Sequence, residues 1–205
     1  MFEKSRRKRG RKTASPGIKE PVVTGILGTS RGAGTTHYAI LLANYMVGVC
    51  GCKCAVLEWN DHGDFERIER VCKGASSDNR SFSVLKADYY KRSGTKELLS
   101  CMAAGYEQII IDFGSDFFNQ KIEFLRCHEK CVVAALSEWQ AEGFLEFVRE
   151  MKGEAGYKSW NYVISFGSED ARRQIKKKLG LPVERIPLSE DPFALNRQLI
   201  AYFER

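Results

Sequence analysis

No stretch of this 205-residue chain holds some eighteen consecutive apolar residues, so the sequence offers no membrane-spanning helix. The first residues lack the apolar core of a secretory signal, and the expected compartment is the cytoplasm. Paired CxxC knuckles are missing as well. The seven cysteines are odd in number and not spaced as a framework of bridges: Cys50, Cys52 and Cys54 alternate, and Cys127 and Cys131 flank three residues. A metal site is open at either place, with buried thiols in a reducing compartment as the plainer reading. Net charge is absent from most of the chain. Residues 1–12, MFEKSRRKRGRK, carry seven Lys/Arg and one acid, which already accounts for the formal net charge of +6.

The folded body is thus expected to be neutral, with a cationic arm in front. Such an arm is drawn to anionic membrane or nucleic acid, at about 1 kcal/mol per basic residue near anionic lipid; the alternative is a solvated tail without a target. TASPGIKEP (13–21) reads as a linker. The expected organisation is a basic arm and linker over 1–20 and one domain over 21–205, long enough to bury a sizeable core.

From residue 22 onward, apolar runs alternate with helical patterns. Strands are expected at 22–27, 53–59, 108–113, 131–136, 161–166 and 183–187, with a further strand at 81–87. Helices are expected at 35–48, 94–104, 138–152, 168–179 and 191–204. Strands that are apolar along their whole length are buried on both faces. The predicted fold is therefore α/β: a three-layer, doubly wound, mostly parallel sheet of the P-loop NTPase kind.

GILGTSRGAGTTHYAILL (25–42) follows the first strand. Gly28, Gly32 and Gly34 allow a tight turn whose N–H groups point inward at a helix N-terminus, an anion-binding arrangement. Thr36 stands where a phosphate-binding loop places the hydroxyl that ligates Mg²⁺. A dinucleotide fingerprint would need glycine at position 37, which is His37. A glycine-rich turn that binds nothing is the other alternative. YEQIIIDFGSD (106–116) ends an apolar strand in Asp112, where a carboxylate holds Mg²⁺ through water. AVLEWNDHGDF (55–65) ends in an acid and opens into a polar loop that can orient water.

Taken in order, these segments resemble the MinD/ParA family of deviant Walker A ATPases, over roughly residues 20–205. TSRGAGTT (29–36) lies over that family's K-G-G-V-G-K-T loop, VLEWNDHGD (56–64) over its LIDxDPQGN stretch, and YEQIIIDFG (106–114) over its YDxIIIDxP. KKLGLPVERIPLSEDPFALNRQL (177–199) is similar to its LGLPVLGxIPxDxxVxxAxxxG tail. The resemblance implies ATP and Mg²⁺ as cofactors, a homodimer over the nucleotide, and a protein partner. The chain departs from the family where chemistry is concentrated. Thr35 replaces the phosphate-reaching lysine, Ser30 the signature lysine that crosses the dimer interface, Glu58 the first switch aspartate and Asn60 the second. A charged hydrogen bond is worth roughly 1.5–3 kcal/mol, so loss of the loop lysine alone weakens binding roughly 10- to 200-fold. Arg31 is one candidate for the missing charge. GAGTT also resembles the loop of the TadZ/CpaE branch, which localises pilus machinery.

The candidate site is thus Arg31, Gly32, Ala33, Gly34, Thr35 and Thr36 for the nucleotide, Thr36 and Asp112 for the metal, and Asn60 and Asp112 for catalysis. The base is expected near 165–170 and 187–192. His37 and His62 read as ordinary polar residues, Trp139, Phe144 and Phe147 as helix-face core, and ARRQIKKK (171–178) as a solvated helix face. Three functions remain open: a nucleotide-binding positioning or assembly factor with weak or absent hydrolysis, a nucleotide-free scaffold, and an active ATPase or kinase whose cation comes from Arg31 or a partner.

Overall fold

The computed structural model describes residues 20–137 and 140–205; the expectations for residues 1–19 and for Trp139 lie outside the described residues. Eight strands form one sheet. They are β1 (Val22–Gly28), β2 (Cys54–Glu58), β3 (Ser81–Val84), β4 (Ala87–Tyr90), β5 (Gln108–Asp112), β6 (Glu129–Ala135), β7 (Asn161–Phe166) and β8 (Val183–Arg185). The spatial order is β3-β4-β2-β5-β1-β6-β7-β8, parallel throughout except for the antiparallel β3–β4 pair. The predicted fold class holds.

Helices α1 (Thr35–Gly48), α2 (Asp64–Lys73), α3 (Thr95–Ala103), α4 (Phe117–Arg126), α5 (Gln140–Met151), α6 (Glu169–Leu179) and α7 (Arg197–Phe203) cover both faces. Strand periodicity divides the core accordingly. On β5, Ile109 and Ile111 pack with Phe117, Phe124, Phe144 and Ile175 under α3–α6. Ile110 joins Leu41, Phe65 and Leu199 under α1, α2 and α7. Helix α1 is buried almost all round, because α7 covers the side that the sheet does not. Phe203 meets the rings of Tyr38 and Tyr45, and the Asn44 side chain donates to the Pro192 carbonyl at 2.8 Å.

Several expectations need correction. Residues 81–87 are not one strand but the start of a hairpin, turned by Leu85 and Lys86, both at positive φ without glycine. Helices α2 and α4 were not predicted; their glycine and aspartate starts follow directly on polar loops that mask the periodicity. Residues 191–196 are not helical. There the Asp191 carboxylate accepts from Phe193 N–H, and helix begins only at Arg197, after Asn196, whose side chain accepts from Leu199 N–H as the cap. Among the cysteines, Cys54, Cys101, Cys127 and Cys131 are buried, whereas Cys50 and Cys72 are exposed.

One buried ion pair holds the far edge of the molecule. Lys91 Nζ, just beyond β4, donates to Glu69 Oε2 on α2 and to the Ser77 carbonyl, each at 2.7 Å. Both side chains are almost inaccessible, and Ser76 and Ser77 complete the carboxylate's hydrogen bonds. The Lys91 ammonium, together with Ser77 and Ser76, holds the Glu69 carboxyl down at about 2. Removing one partner strands the other charge in the interior. Lys91→Met is expected to lower the urea midpoint more than any substitution in the exposed Arg126–Glu123 pair. Because the folded-state value lies below the ordinary carboxylate one, the stabilisation is complete above about pH 4.5 and disappears as pH falls towards 2. The difference between variant and wild type, followed by urea titration, should shrink over that range.

Candidate functional site

The sheet's order reverses at β1: the chain runs outward to β2 on one side and returns to β6 on the other. This switch point, at the carboxyl ends of the strands, is where open α/β sheets leave a crevice. The loop 28–34 fills it. Ala33 N–H donates to the Ser30 carbonyl, closing a turn with Arg31 at its exposed tip and Gly32 in the left-handed region. Gly34 also has positive φ, and a Cβ there would approach Ser165 Cβ at 3.3 Å. Ser165 itself donates to the Ala33 carbonyl at 2.5 Å, so β7 pins the loop from behind. Gly28 is fixed by contact, since a Cβ on it would lie 2.4 Å from Thr35 Oγ1. The result is a backbone concavity ahead of the unpaired first-turn amides of α1.

Asp112 lies directly behind α1 and is wholly buried. Its Oδ2 accepts from Thr36 Oγ1 at 2.6 Å, and its Oδ1 accepts from Gly114 N–H at 3.0 Å. Burial pushes its carboxyl up to about 6, against the pull of these two hydrogen bonds. Asn60 spans the neighbouring loops, with its amide nitrogen donating to the Asp112 carbonyl and its oxygen accepting from His62 N–H. Glu58 is fully buried and occupied elsewhere. It accepts from Phe65 N–H at the start of α2 and from Arg92 N–H, while burial raises its carboxyl above the usual range.

In front of these groups is a cavity of about 320 Å³, bounded by Ser30, Arg31, Gly32, Gly34, Thr35 and Thr36 on the loop side and by His62, Asp64, Arg67, Gly114 and Ser115 opposite. Ala33 is buried beneath the loop. Six of the predicted residues therefore belong to the loop and the first turn of α1, five of them on the cavity wall, while Asp112 and Asn60 stand behind it. A second cavity of about 220 Å³ shares Gly34 and His37 with the first. Its other walls are Tyr38 and Leu41 of α1, Ile186, and Ser165, Phe166, Pro187, Leu188 and Ser189, the last five from the two segments expected to receive a base. His37 and His62, expected to be ordinary polar residues, also line the first cavity, as does Arg67, which the sequence did not single out. For Arg67 the signal was present in the Asp64–Arg67 spacing, but it required α2 to be recognised first.

The donor set fits a hard divalent cation that keeps most of its water. Among the described residues no three His, Cys, Asp or Glu side chains converge as a protein-only cage. A magnesium ion does not need one, since it is commonly held by one or two protein oxygens together with phosphate and water. Thr36 can donate to Asp112 and still turn lone pairs to a cation. The loop hydroxyls of Thr29 and Ser30 are buried without hydrogen-bond partners, which suits a loop built to receive acceptor oxygens.

Ionised Asp112 is an unfavourable group in the ligand-free protein. A folded-state value near 6 against an ordinary 3.8 means that destabilisation sets in above about pH 4 and is complete above about pH 6. Asp112→Asn should therefore unfold at higher temperature than wild type at pH 8 and lose that advantage by pH 4, as scanning calorimetry without nucleotide or Mg²⁺ would show.

No protein-family model matches the sequence, and no curated protein does. Solved structures do. A ParA family ATPase from Chlorobium tepidum TLS superposes with a TM-score of 0.61 at 18% identity, covering 90% of this chain and 92% of that one. A putative plasmid partition protein from Borrelia burgdorferi B31, bound to AMPPNP, gives 0.64 at 15% identity over 91% and 96%. The MinC:MinD cell division complex of Aquifex aeolicus gives 0.55 at 10% identity over 82% of each chain. The chain shares the α/β fold of the ParA/MinD P-loop ATPases.

Proposed function

We propose that this protein is a MinD/ParA-like nucleotide-binding protein with little or no hydrolysis, acting as a positioning or assembly factor. The observation that carries the reading is the Thr36–Asp112 hydrogen bond of 2.6 Å, set at the switch point under a loop with two left-handed glycines. ATP is the favoured nucleotide, as one structural neighbour holds AMPPNP. Its phosphates lie against the backbone of 31–36, and its base enters the apolar cavity beside Phe166 and Leu188, both largely exposed without it. Thr36 and, through water, Asp112 hold Mg²⁺, which when bound neutralises phosphate charge.

Hydrolysis is weak in this reading because Thr35 brings no cation to the phosphates and the Asn60 amide is engaged by Asp112 and His62. Phosphoryl transfer is accelerated mainly by electrostatics. Two copies pair over the nucleotide, a protein partner reads the pair, and residues 1–12 bring the otherwise cytoplasmic protein to an anionic membrane surface. GAGTT favours the pilus-localising TadZ/CpaE branch. One observation favours a nucleotide-free scaffold instead: Thr36 and Asp112 already satisfy each other without a ligand.

Calorimetric titration with ATP and a non-hydrolysable analogue, with and without Mg²⁺, separates these readings. Micromolar, Mg²⁺-dependent binding that Thr36→Ala weakens at least tenfold is the expected result. No heat at millimolar nucleotide would leave the scaffold, and steady phosphate release would make the protein an ATPase.

A further inference from the structure

Resting on the nucleotide-binding reading, we propose that Arg67 of α2 supplies the positive charge the loop lacks, by gripping the terminal phosphates of a nucleoside triphosphate from the opposite wall of the cavity. The need is set by Thr35, a neutral side chain where a cation would normally face the phosphates. Of the described residues lining that cavity, only Arg31 and Arg67 are Lys or Arg. His37 does not fill the gap, since burial lowers its pKa and favours the neutral ring, with Asp191 and the Ser189 backbone pulling the other way.

The two arginines differ in how they are held. Arg31 sits at the exposed tip of the turn with no side-chain hydrogen bond or ion pair among the described residues. Arg67 projects from the first turns of a regular helix, and its Nη1 donates to Asp64 Oδ1 at 2.7 Å. Asp64 lines the same cavity, so the pair holds the guanidinium at the wall before any ligand arrives. The planar fork has further N–H donors beyond the one used by Asp64, in a geometry that matches phosphate oxygens. The pair itself is solvent-exposed, with Arg67 at 65%, and such pairs are weak. A triphosphate therefore draws the guanidinium from Asp64. Glu66, next to Arg67 in sequence, lines a different cavity and is engaged by Arg92.

This partner exchange makes α2 sensitive to the phosphate end of the ligand rather than to its base. The test is calorimetric titration of the full chain with MgATP and MgADP, comparing wild type with Arg67→Gln, Arg67→Lys and Arg31→Gln. The expected result is an MgATP affinity reduced about tenfold or more by Arg67→Gln, with a smaller loss for MgADP, partial recovery in Arg67→Lys, and a change within about twofold in Arg31→Gln. Thermal unfolding of Arg67→Gln should stay close to wild type. If wild type binds MgATP and Arg67→Gln binds it equally well, Arg67 is not the cation and the assignment alone falls. If wild type binds neither nucleotide, the nucleotide reading falls with it.

Discussion

A carboxylate buried at the centre of a parallel sheet is the constraint around which this molecule is arranged. Asp112 ends β5, which lies between β1 and β2, and its backbone is tied to both neighbours: Trp59 N–H donates to its carbonyl and Phe113 N–H to that of Ile26. Burying an ion there is costly unless donors surround it. Thr36 and Gly114 are those donors, which fixes the first turn of α1 and the loop after β5 in relation to each other. The close approach of Gly114 to Asn60 and His62 then fixes the loop after β2. Three loops from three strands are in this way registered on a single acid. A residue kept ionisable at such a cost to the empty protein is the kind of strain that sites bear for a ligand.

Much of this was legible in the chain. The near-continuous apolar runs at 22–27, 108–113 and 131–136 read as strands covered on both sides, and their alternation with helical patterns pointed to a doubly wound sheet. Glycines followed by two threonines marked the loop after β1, and the acid ending the apolar run 108–113 marked Asp112, which the structure places in hydrogen-bond contact with Thr36. What escaped were features that local pattern does not encode. The β3–β4 turn uses Leu85 and Lys86 at positive φ, so no glycine or asparagine announces it. Helix α2 has few buried residues, Phe65 and Glu69, and one of them is charged; its burial is explained only by Lys91, distant in sequence. The role of Glu58 in holding the start of α2 likewise appears only when β2 and α2 are seen in contact.

The resemblance to ParA and MinD structures lies in architecture, at identities of 10–18%. A fold of this type is specified by alternating core positions, which tolerate exchange among aliphatic residues. Its chemistry is specified by a few polar side chains, and these can change while the scaffold stays. Here the hydroxyl and the strand-end acid are retained, whereas the loop cations are gone. In the reading proposed above, charge in the cavity comes from the backbone dipole of α1 and from Arg31 and Arg67 on its wall.

The enclosure of α1 determines where this protein can move. With the sheet on one side and α7 on the other, the helix that begins at the loop is wedged in place, and its amides should be among the slowest in the molecule to exchange with deuterated solvent. A binding event at its first turn cannot be transmitted by displacing it. If the proposed site fills, the neighbouring helix with the smaller buried share is α2, which buries only Phe65 and Glu69, rather than the enclosed α1.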